Sequence, residues 1–232
     1  MNSASRHFNW SFPVKDWELS EEDIHIWVVD LERTSRLPEL AATLSSDEKE
    51  RAARFHFQPD RNKYIAGRGL LRTILSRYTE VLPANLKFKY EDNGKPHLAD
   101  ASQFGNLNFN LSHSEGLAVY GITRGREIGI DLEIIRALPD MDDVAARCFL
   151  PEEQAALRFL ESPRKEKNFF RCWTRKEAQL KCSGEGFSTE PGIEKAFDGS
   201  LLELKPSEGY IGALAVRGRP FALKTWQWVE AS

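Results

Sequence analysis

The sequence has few cysteines, little net charge and no long apolar run, and each shortage excludes a class of protein. Its cysteine count of three is odd and does not fit a disulfide framework, and the spacing of the cysteines is not that of a zinc site. A formal net charge of −3 provides no basic field that would attract nucleic acid. No apolar segment approaches the roughly 20 residues of a membrane span, and residues 1–10 lack a signal-peptide pattern. We expect a soluble, cytoplasmic protein that binds neither nucleic acid nor membranes.

Strand and helix patterns both occur along the 232 residues, without the strict alternation of a doubly wound parallel sheet. Apolar or alternating segments predict strands at 24–31, 107–111, 117–122 and 128–135. Helix-start signals fall at Ser45, Pro59 and Pro151, and a further helix is predicted from Asn168 to Cys182. The predicted fold class is therefore α+β. Residues 115–126 are weakly echoed in residues 208–219, which suggests two related halves.

The predicted strand with the sequence IGIDLEI carries two carboxylates on one face. Alternate side chains of a strand share a face, so Asp131 and Glu133 lie about 7 Å apart and repel each other unless a cation lies between them. Oxygen ligands favour Mg²⁺, which commonly adds waters and substrate phosphates to one or two carboxylates. Gly129 on the same face is expected to leave room for a ligand. A half-buried strand with a solvated acidic face is the alternative.

A second feature is a predicted helix with the sequence WTRKEAQLK. Trp173, Glu177 and Lys181 recur at four-residue steps and therefore share one helix face. In the functional interpretation, Glu177 is a third carboxylate for an ion near Asp131, while Lys176 and Lys181 meet phosphate oxygens. In the alternative interpretation, the helix carries only a surface salt bridge.

The third feature is a run of hydroxyl groups around a histidine, Ser112-His113-Ser114, directly after a predicted strand. Adjacent residues in a strand point to opposite faces, and no Gly-x-Ser-x-Gly elbow is present, which disfavours a serine nucleophile beside its base. A histidine among hydroxyl groups at a strand end suits hydrogen bonding to a phosphate. A purely structural histidine is the alternative.

A basic stretch from Asp47 to Arg72 has seven basic and four acidic residues, a local excess of +3 in a chain of net −3. This local excess of positive charge suits an anionic ligand. An exposed helix face with many charged residues is the alternative explanation. Gly67 and Gly69 within the stretch indicate a close approach of another element. A site that binds an Mg²⁺ ion bridging a phosphorylated ligand would account for all four features together.

Four segments carry a resemblance to a known family, in the family's order and spacing. They are Asn93-Gly94-Lys95-Pro96, Phe109-Asn110-Leu111-Ser112-His113-Ser114, Ile128-Gly129-Ile130-Asp131-Leu132-Glu133, and Trp173-Thr174-Arg175-Lys176-Glu177-Ala178 with Lys181. The chain resembles the 4′-phosphopantetheinyl transferases of the larger, surfactin-synthetase-activating (Sfp) type. The resemblance implies a monomer of two similar α+β subdomains related by a pseudo-two-fold axis. The first, residues 1–124, would hold the basic helix and nucleotide contacts, and the second, residues 125–232, the metal site and catalytic helix.

The resemblance also implies a Mg²⁺-dependent reaction, in which Mn²⁺ is able to replace Mg²⁺. The 4′-phosphopantetheine group moves from coenzyme A to a serine of an apo acyl or peptidyl carrier protein, and adenosine 3′,5′-bisphosphate is released. The implied metal ligands are Asp131, Glu133 and Glu177. Glu177 is also the implied base for the serine proton, directly or through water. Lys181 and Lys176 would neutralise charge on the pyrophosphate.

For the nucleotide end of coenzyme A, the resemblance points to Lys95, Ser112 and His113. Arg51 matches a basic position that contacts the 3′-phosphate in the family, whereas Glu48 stands where the family can have another basic residue. The further basic candidates are Lys49, Arg54 and Arg68. Fatty-acid, polyketide and nonribosomal-peptide carriers all fit. A non-catalytic module that binds coenzyme A and a Mg²⁺-dependent phosphohydrolase are the alternative functions.

Overall fold

A computed structural model describes residues 10, 18–92, 94–184, 197–218 and 220–229, so Asn93 of the first matching segment lies outside the described residues. Strands and helices are mixed along them, which confirms the predicted α+β class. The strands are β1 (Asp23–Asp30), β2 (Phe88–Tyr90), β3 (Pro96–Leu98), β4 (Leu107–Ser114), β5 (Leu117–Arg124), β6 (Ile128–Ile134), β7 (Ser200–Leu204), β8 (Tyr210–Val216) and β9 (Ala222–Gln227). The α-helices are α1 (Leu37–Thr43), α2 (Ser46–Ala53), α3 (Gln58–Thr79), α4 (Met141–Cys148), α5 (Pro151–Arg158) and α6 (Arg164–Ser183).

The strands form two main sheets and one small hairpin. The first sheet has the order β4-β5-β1-β9, the second has the order β6-β8-β7, and β2 pairs with β3. The last strand returns to the first sheet, where it runs parallel to β1 with Trp226 opposite Trp27. The predicted subdomain boundary falls between β5 and β6, and the division itself stays a prediction. Within the described residues, no helix is long and apolar enough to cross a membrane.

Helix α3 covers one face of the first sheet. Its buried residues Leu71 and Ile74 pack in one core with Trp27 of β1 and Tyr120 of β5. Helix α1 crosses α3 at Gly69, where an added Cβ would lie only 2.6 Å from the Cβ of Leu40. This crossing confirms the predicted close approach at Gly69, since no larger side chain fits between the two helices. A Cβ at Gly67 would meet only ordinary van der Waals contacts.

The other face of the first sheet packs against the second sheet, and α6 covers the far side of the second sheet. Ile130 and Leu132 of β6 face the inter-sheet core, while Gly129 faces α6, as the period of two predicts. A Cβ at Gly129 would collide with the backbone of Ala178 and Cys182. The expectation that Gly129 leaves room for a ligand is therefore wrong, because the backbone of α6 fills that space.

Candidate active site

Strands β4 and β6 lie side by side in the same direction, although they belong to different sheets. Ser112 Oγ donates a hydrogen bond to Asp131 Oδ1 at 2.9 Å, and Ser114 Oγ donates one to Glu133 Oε2 at 2.9 Å. The two pairs follow from strand geometry, since residues two apart share one side of β4. The structure thus joins two of the sequence features, the hydroxyl-rich strand end and the paired carboxylates.

Helix α6 adds a cation and a further carboxylate to this junction. Lys181 Nζ lies 2.7 Å from Asp131 Oδ1 and 3.3 Å from Ser112 Oγ. Glu177, one helical turn earlier, interacts electrostatically with Asp131, Lys181 and Glu133. The close packing of α6 on Gly129 brings both side chains to β6. We call Asp131, Glu133, Glu177 and Lys181 the carboxylate cluster.

The carboxylate cluster holds more negative than positive charge. Burial raises the pKa of Glu177, and the charge of Asp131 raises it further against the opposing effect of Lys181. Burial likewise raises the pKa of Glu133, with a smaller contribution from Asp131, although the hydrogen bond from Ser114 works in the other direction. Mutual repulsion of this kind is relieved when a cation is bound.

Asp131 provides the observation that tests whether a divalent cation suits these residues. Its side chain is only 4% exposed, and its second oxygen, Oδ2, is buried with no hydrogen-bond partner among the residues that the structure describes. No three His, Cys, Asp or Glu side chains among the described residues already converge as a metal site. Mg²⁺, however, needs only one or two carboxylates when waters and phosphates complete its oxygen shell. The carboxylate oxygens present fit such an ion.

His113 faces away from the carboxylate cluster, toward α3. It lines a cavity of about 340 Å³ together with Lys63, Tyr64, Arg68 and Tyr120. Burial lowers the pKa of His113, and the positive charges of Lys181 and Lys63 lower it further. The cavity therefore combines an apolar wall with nitrogen donors at its edge, a lining suited to a ligand that carries both a ring or chain and a phosphate.

Two predicted site lysines lie apart from the carboxylates. Lys95 Nζ donates to the carbonyl of Lys181 at 2.8 Å, at the C-terminal end of α6, where a positive charge is favourable. Lys95 also borders a second cavity of about 200 Å³. Lys176 Nζ donates to the carbonyl of Cys148, beside the ring of Phe149. The structure does not bring Lys176 to the carboxylate cluster.

The basic stretch contains a second buried group of charges, which we call the arginine cluster: Glu48, Arg68 and Arg72. Arg68 donates to Glu48 Oε1 from Nε at 2.8 Å and from Nη2 at 2.5 Å, and Arg72 Nε donates to Oε2 at 2.6 Å. The backbone N–H of Ser45 donates to the same Oε2 at 3.0 Å and completes the predicted capping box. Arg68, a predicted nucleotide contact, is thus already engaged by Glu48.

The remaining candidates of the basic stretch are exposed: Lys49 and Arg51 on α2, and Arg54 directly after its end. The guanidinium carbon of Arg51 lies 5.7 Å from the centroid of the Tyr64 ring, and Tyr64 lines the cavity that His113 borders. Arg51 is thus placed next to that cavity, in contact with one of its walls.

Comparison with known proteins identifies the family. Residues 32–122 match the description "4′-phosphopantetheinyl transferase, N-terminal", and residues 127–223 match "4′-phosphopantetheinyl transferase superfamily". The chain is 44% identical over 223 residues to the 4′-phosphopantetheinyl transferase HetI of Nostoc sp., with 90% of this chain and 94% of HetI aligned. The chain belongs to the 4′-phosphopantetheinyl transferase superfamily.

More distant relatives share the family name. The chain is 32% identical over 159 residues to the 4′-phosphopantetheinyl transferase psf-1 of Bacillus pumilus, with 68% of this chain and 66% of psf-1 aligned. It is 28% identical over 145 residues to the 4′-phosphopantetheinyl transferase Sfp of Bacillus subtilis, with 62% of each chain aligned. Enzymes of this family transfer the 4′-phosphopantetheine group of coenzyme A to carrier proteins, and the chain is a transferase of this kind.

Sequence reasoning noted Ser114 and Asn110 within motifs but missed the contacts that both make with β6. Ser114 holds Glu133, and the buried Asn110 Oδ1 accepts a hydrogen bond from the backbone N–H of Ile130 at 3.0 Å. The alternation of Asn108, Asn110, Ser112 and Ser114 along one side of β4 was the available signal, because four polar residues on one side of a strand need partners.

Proposed function

We propose that this transferase carries out its reaction where β4, β6 and α6 meet, with coenzyme A as donor and a serine of an apo carrier protein as acceptor. The carboxylate cluster carries the proposal: Asp131 forms an ion pair with Lys181, Glu177 interacts electrostatically with both, and among the described residues Asp131 Oδ2 is buried without a hydrogen-bond partner. A buried carboxylate oxygen without a partner is costly unless a ligand completes its contacts.

The proposed ligand is Mg²⁺, or Mn²⁺ in its place, held by Asp131, Glu133 and Glu177. Bound there, the ion would offset negative charge on the pyrophosphate of coenzyme A. The oxygen-only donor set and the unpartnered Oδ2 support this assignment.

Glu177 is the proposed base and Lys181 the proposed charge stabiliser. Glu177 takes the proton of the carrier serine, directly or through water. The serine oxygen then bonds to the phosphorus that bears the pantetheine arm, and the bond from that phosphorus to adenosine 3′,5′-bisphosphate breaks. Lys181 donates to the charge that develops on the departing phosphate oxygens. Its ammonium at 2.7 Å from Asp131 supports this role.

For the nucleotide end of coenzyme A we propose Ser112, His113, Lys95 and the exposed Arg51, with Lys49, Arg54 and Arg68 as further candidates. The cavity bordered by His113 and the contact of Arg51 with its Tyr64 wall support this placement. The assignment of Lys176 to the pyrophosphate stays a prediction.

We further propose that the enzyme acts as a cytoplasmic monomer, on coenzyme A and carrier proteins and without nucleic acid or membrane. One chain supplies both sides of the site through β4 and β6, so no second copy is needed. Three free cysteines suit a reducing compartment, and the net charge of −3 offers nothing to nucleic acid.

The test is intact-mass spectrometry of purified apo carrier proteins from fatty-acid, polyketide and nonribosomal-peptide pathways. Each is mixed with the enzyme, coenzyme A and Mg²⁺. We expect at least one carrier to gain the mass of the phosphopantetheine arm. No gain on any carrier would contradict the proposal, and release of free phosphopantetheine without a carrier would indicate a phosphohydrolase instead.

A further inference from the structure

The junction between β4 and β6 is held by side chains where a continuous sheet would have backbone bonds. The two strands belong to different sheets. Asn110 Oδ1 of β4 accepts from the backbone N–H of Ile130 at 3.0 Å, and Ser114 Oγ accepts from the backbone N–H of Ile134 at 3.1 Å. Two side-chain oxygens thus take the place of strand carbonyls along this edge of β6.

These two hydrogen bonds bracket the carboxylates. Each joins residues 20 apart in sequence, and the bonded N–H groups lie on either side of Asp131 and Glu133. Two bonds with the same offset fix β6 along β4, because a slip of one residue would turn both carboxylates to the opposite face. Asn110 is only 4% exposed, so water does not compete for its bond.

Ser114 has a second contact that ties the backbone to the site. While its Oγ accepts from Ile134, its hydroxyl donates to Glu133 Oε2 at 2.9 Å. The accepted bond orients the hydroxyl, so that its proton points at the carboxylate. The position of Glu133 is therefore set by β4 as well as by its own strand.

We propose that Asn110 and Ser114 are positioning residues for the transfer reaction, which lock β6 against β4 and hold Glu133 in place for the divalent cation. The proposal rests on the function proposed above. Residues that hydrogen-bond a metal-ligating carboxylate typically affect metal affinity or activity by about 10–100-fold.

The test compares Ser114→Ala with Ser114→Thr, which keeps the hydroxyl, in the full-length enzyme. Mn²⁺ affinity is measured by electron paramagnetic resonance, and kcat and the KM for coenzyme A are measured alongside. We expect Ser114→Ala to weaken Mn²⁺ binding about 10–100-fold, to lower kcat, and to leave the KM for coenzyme A within about threefold. Ser114→Thr should recover most of the Mn²⁺ affinity.

Ser76→Ala is the matched control, because it removes a serine hydroxyl that donates to the carbonyl of Thr73 within α3. Asn110→Ala is expected to follow Ser114→Ala, and thermal unfolding shows whether each variant is folded. Mn²⁺ binding by Ser114→Ala at the wild-type affinity would overturn this proposal alone. A wild-type enzyme that binds no Mn²⁺ would overturn the metal assignment and this proposal with it.

Discussion

The arginine cluster and the carboxylate cluster are built from the same kinds of side chain, yet their charge balance is opposite. In the arginine cluster, two guanidinium groups and one backbone N–H give Glu48 four hydrogen bonds. Burial alone would raise the pKa of Glu48, but the charge of Arg68 and the hydrogen bond from Arg72 lower it overall. In the carboxylate cluster, one ammonium faces three carboxylates, and the pKa values of Glu133 and Glu177 are raised.

This difference separates a structural charge cluster from one made for a ligand. Glu48 is 1% exposed and fully bonded, so it joins α2 to α3 and leaves little for a ligand to gain there. In the carboxylate cluster, Asp131 Oδ2 has no hydrogen-bond partner within the described part of the chain, and repulsion remains that a cation would relieve. Glu48 is outnumbered by its cationic partners and stabilises the fold. In the carboxylate cluster the acids outnumber the cation, which indicates a ligand site.

The largest effect is expected on transfer activity when a carboxylate of the carboxylate cluster is neutralised. Glu177→Gln keeps the shape of the side chain but removes its charge, so kcat should fall roughly 10²–10⁴-fold. The free energy of unfolding should stay equal or rise by up to about 1 kcal/mol, because one of three repelling charges is lost. Carrier mass spectrometry and urea denaturation measure the two quantities. A variant that unfolds far more readily than wild type would contradict the comparison.

The opposite outcome is expected in the arginine cluster. Glu48→Ala leaves two buried guanidinium groups without their carboxylate, and the free energy of unfolding should fall by about 3–5 kcal/mol. The kcat per folded molecule should stay within about twofold of wild type, because the carboxylate cluster is unchanged. Glu50→Ala, on the exposed side of α2, is the control and should change stability by less than about 0.5 kcal/mol. Equal stability of the two variants in urea denaturation would show that the arginine cluster is not structural.

The pH dependence of stability adds a third buried ionisable group to the comparison, His25, which lies outside both clusters. Burial and the charge of Lys224 lower the pKa of His25 to about 4, against the opposing effect of Asp23. Its stabilising contribution is full above about pH 6.5 and is lost as the pH falls toward 4, by about 3 kcal/mol in total. Glu48, whose pKa is lowered from 4.5, also loses its stabilising contribution as the pH falls, but this loss begins at a more acidic pH than that of His25. In urea denaturation, the free energy of unfolding of His25→Gln should not show the loss between pH 6.5 and 4 that wild type shows. If it falls with pH as steeply as in wild type, the prediction is wrong.

The smallest effect is expected at the exposed basic residues. Arg51→Ala should raise the KM for coenzyme A about 5–10-fold, which corresponds to about 1–1.4 kcal/mol, with kcat unchanged. The effect should shrink at high salt, because exposed charges are screened. Arg61→Ala, also exposed, serves as the control. The same KM change in both variants would show that the basic stretch attracts the nucleotide only through its overall charge.

Local patterns were sufficient to predict the strands and helices that carry the site, including β6 and α6. The register between β4 and β6 was not predictable, because it depends on how the two sheets pack and not on either strand alone. The contact of Ser114 with Glu133 was therefore missed. The partners of Glu48 lie 20 and 24 residues away on α3, and the capping box was the only local signal. The expectation for Gly129 failed because sequence does not distinguish space left for a ligand from space left for a helix.

The rate of arm transfer to an apo carrier protein as a function of free Mg²⁺ tests the central claim most directly. It should be compared among wild type, Asp131→Asn and Glu48→Gln. We expect wild type and folded Glu48→Gln to share one Mg²⁺ dependence, and Asp131→Asn to fail at every Mg²⁺ concentration. Transfer by wild type that persists in chelator, or transfer by Asp131→Asn at the wild-type rate, would contradict the claim that the carboxylate cluster is the unsaturated, cation-requiring centre of the enzyme.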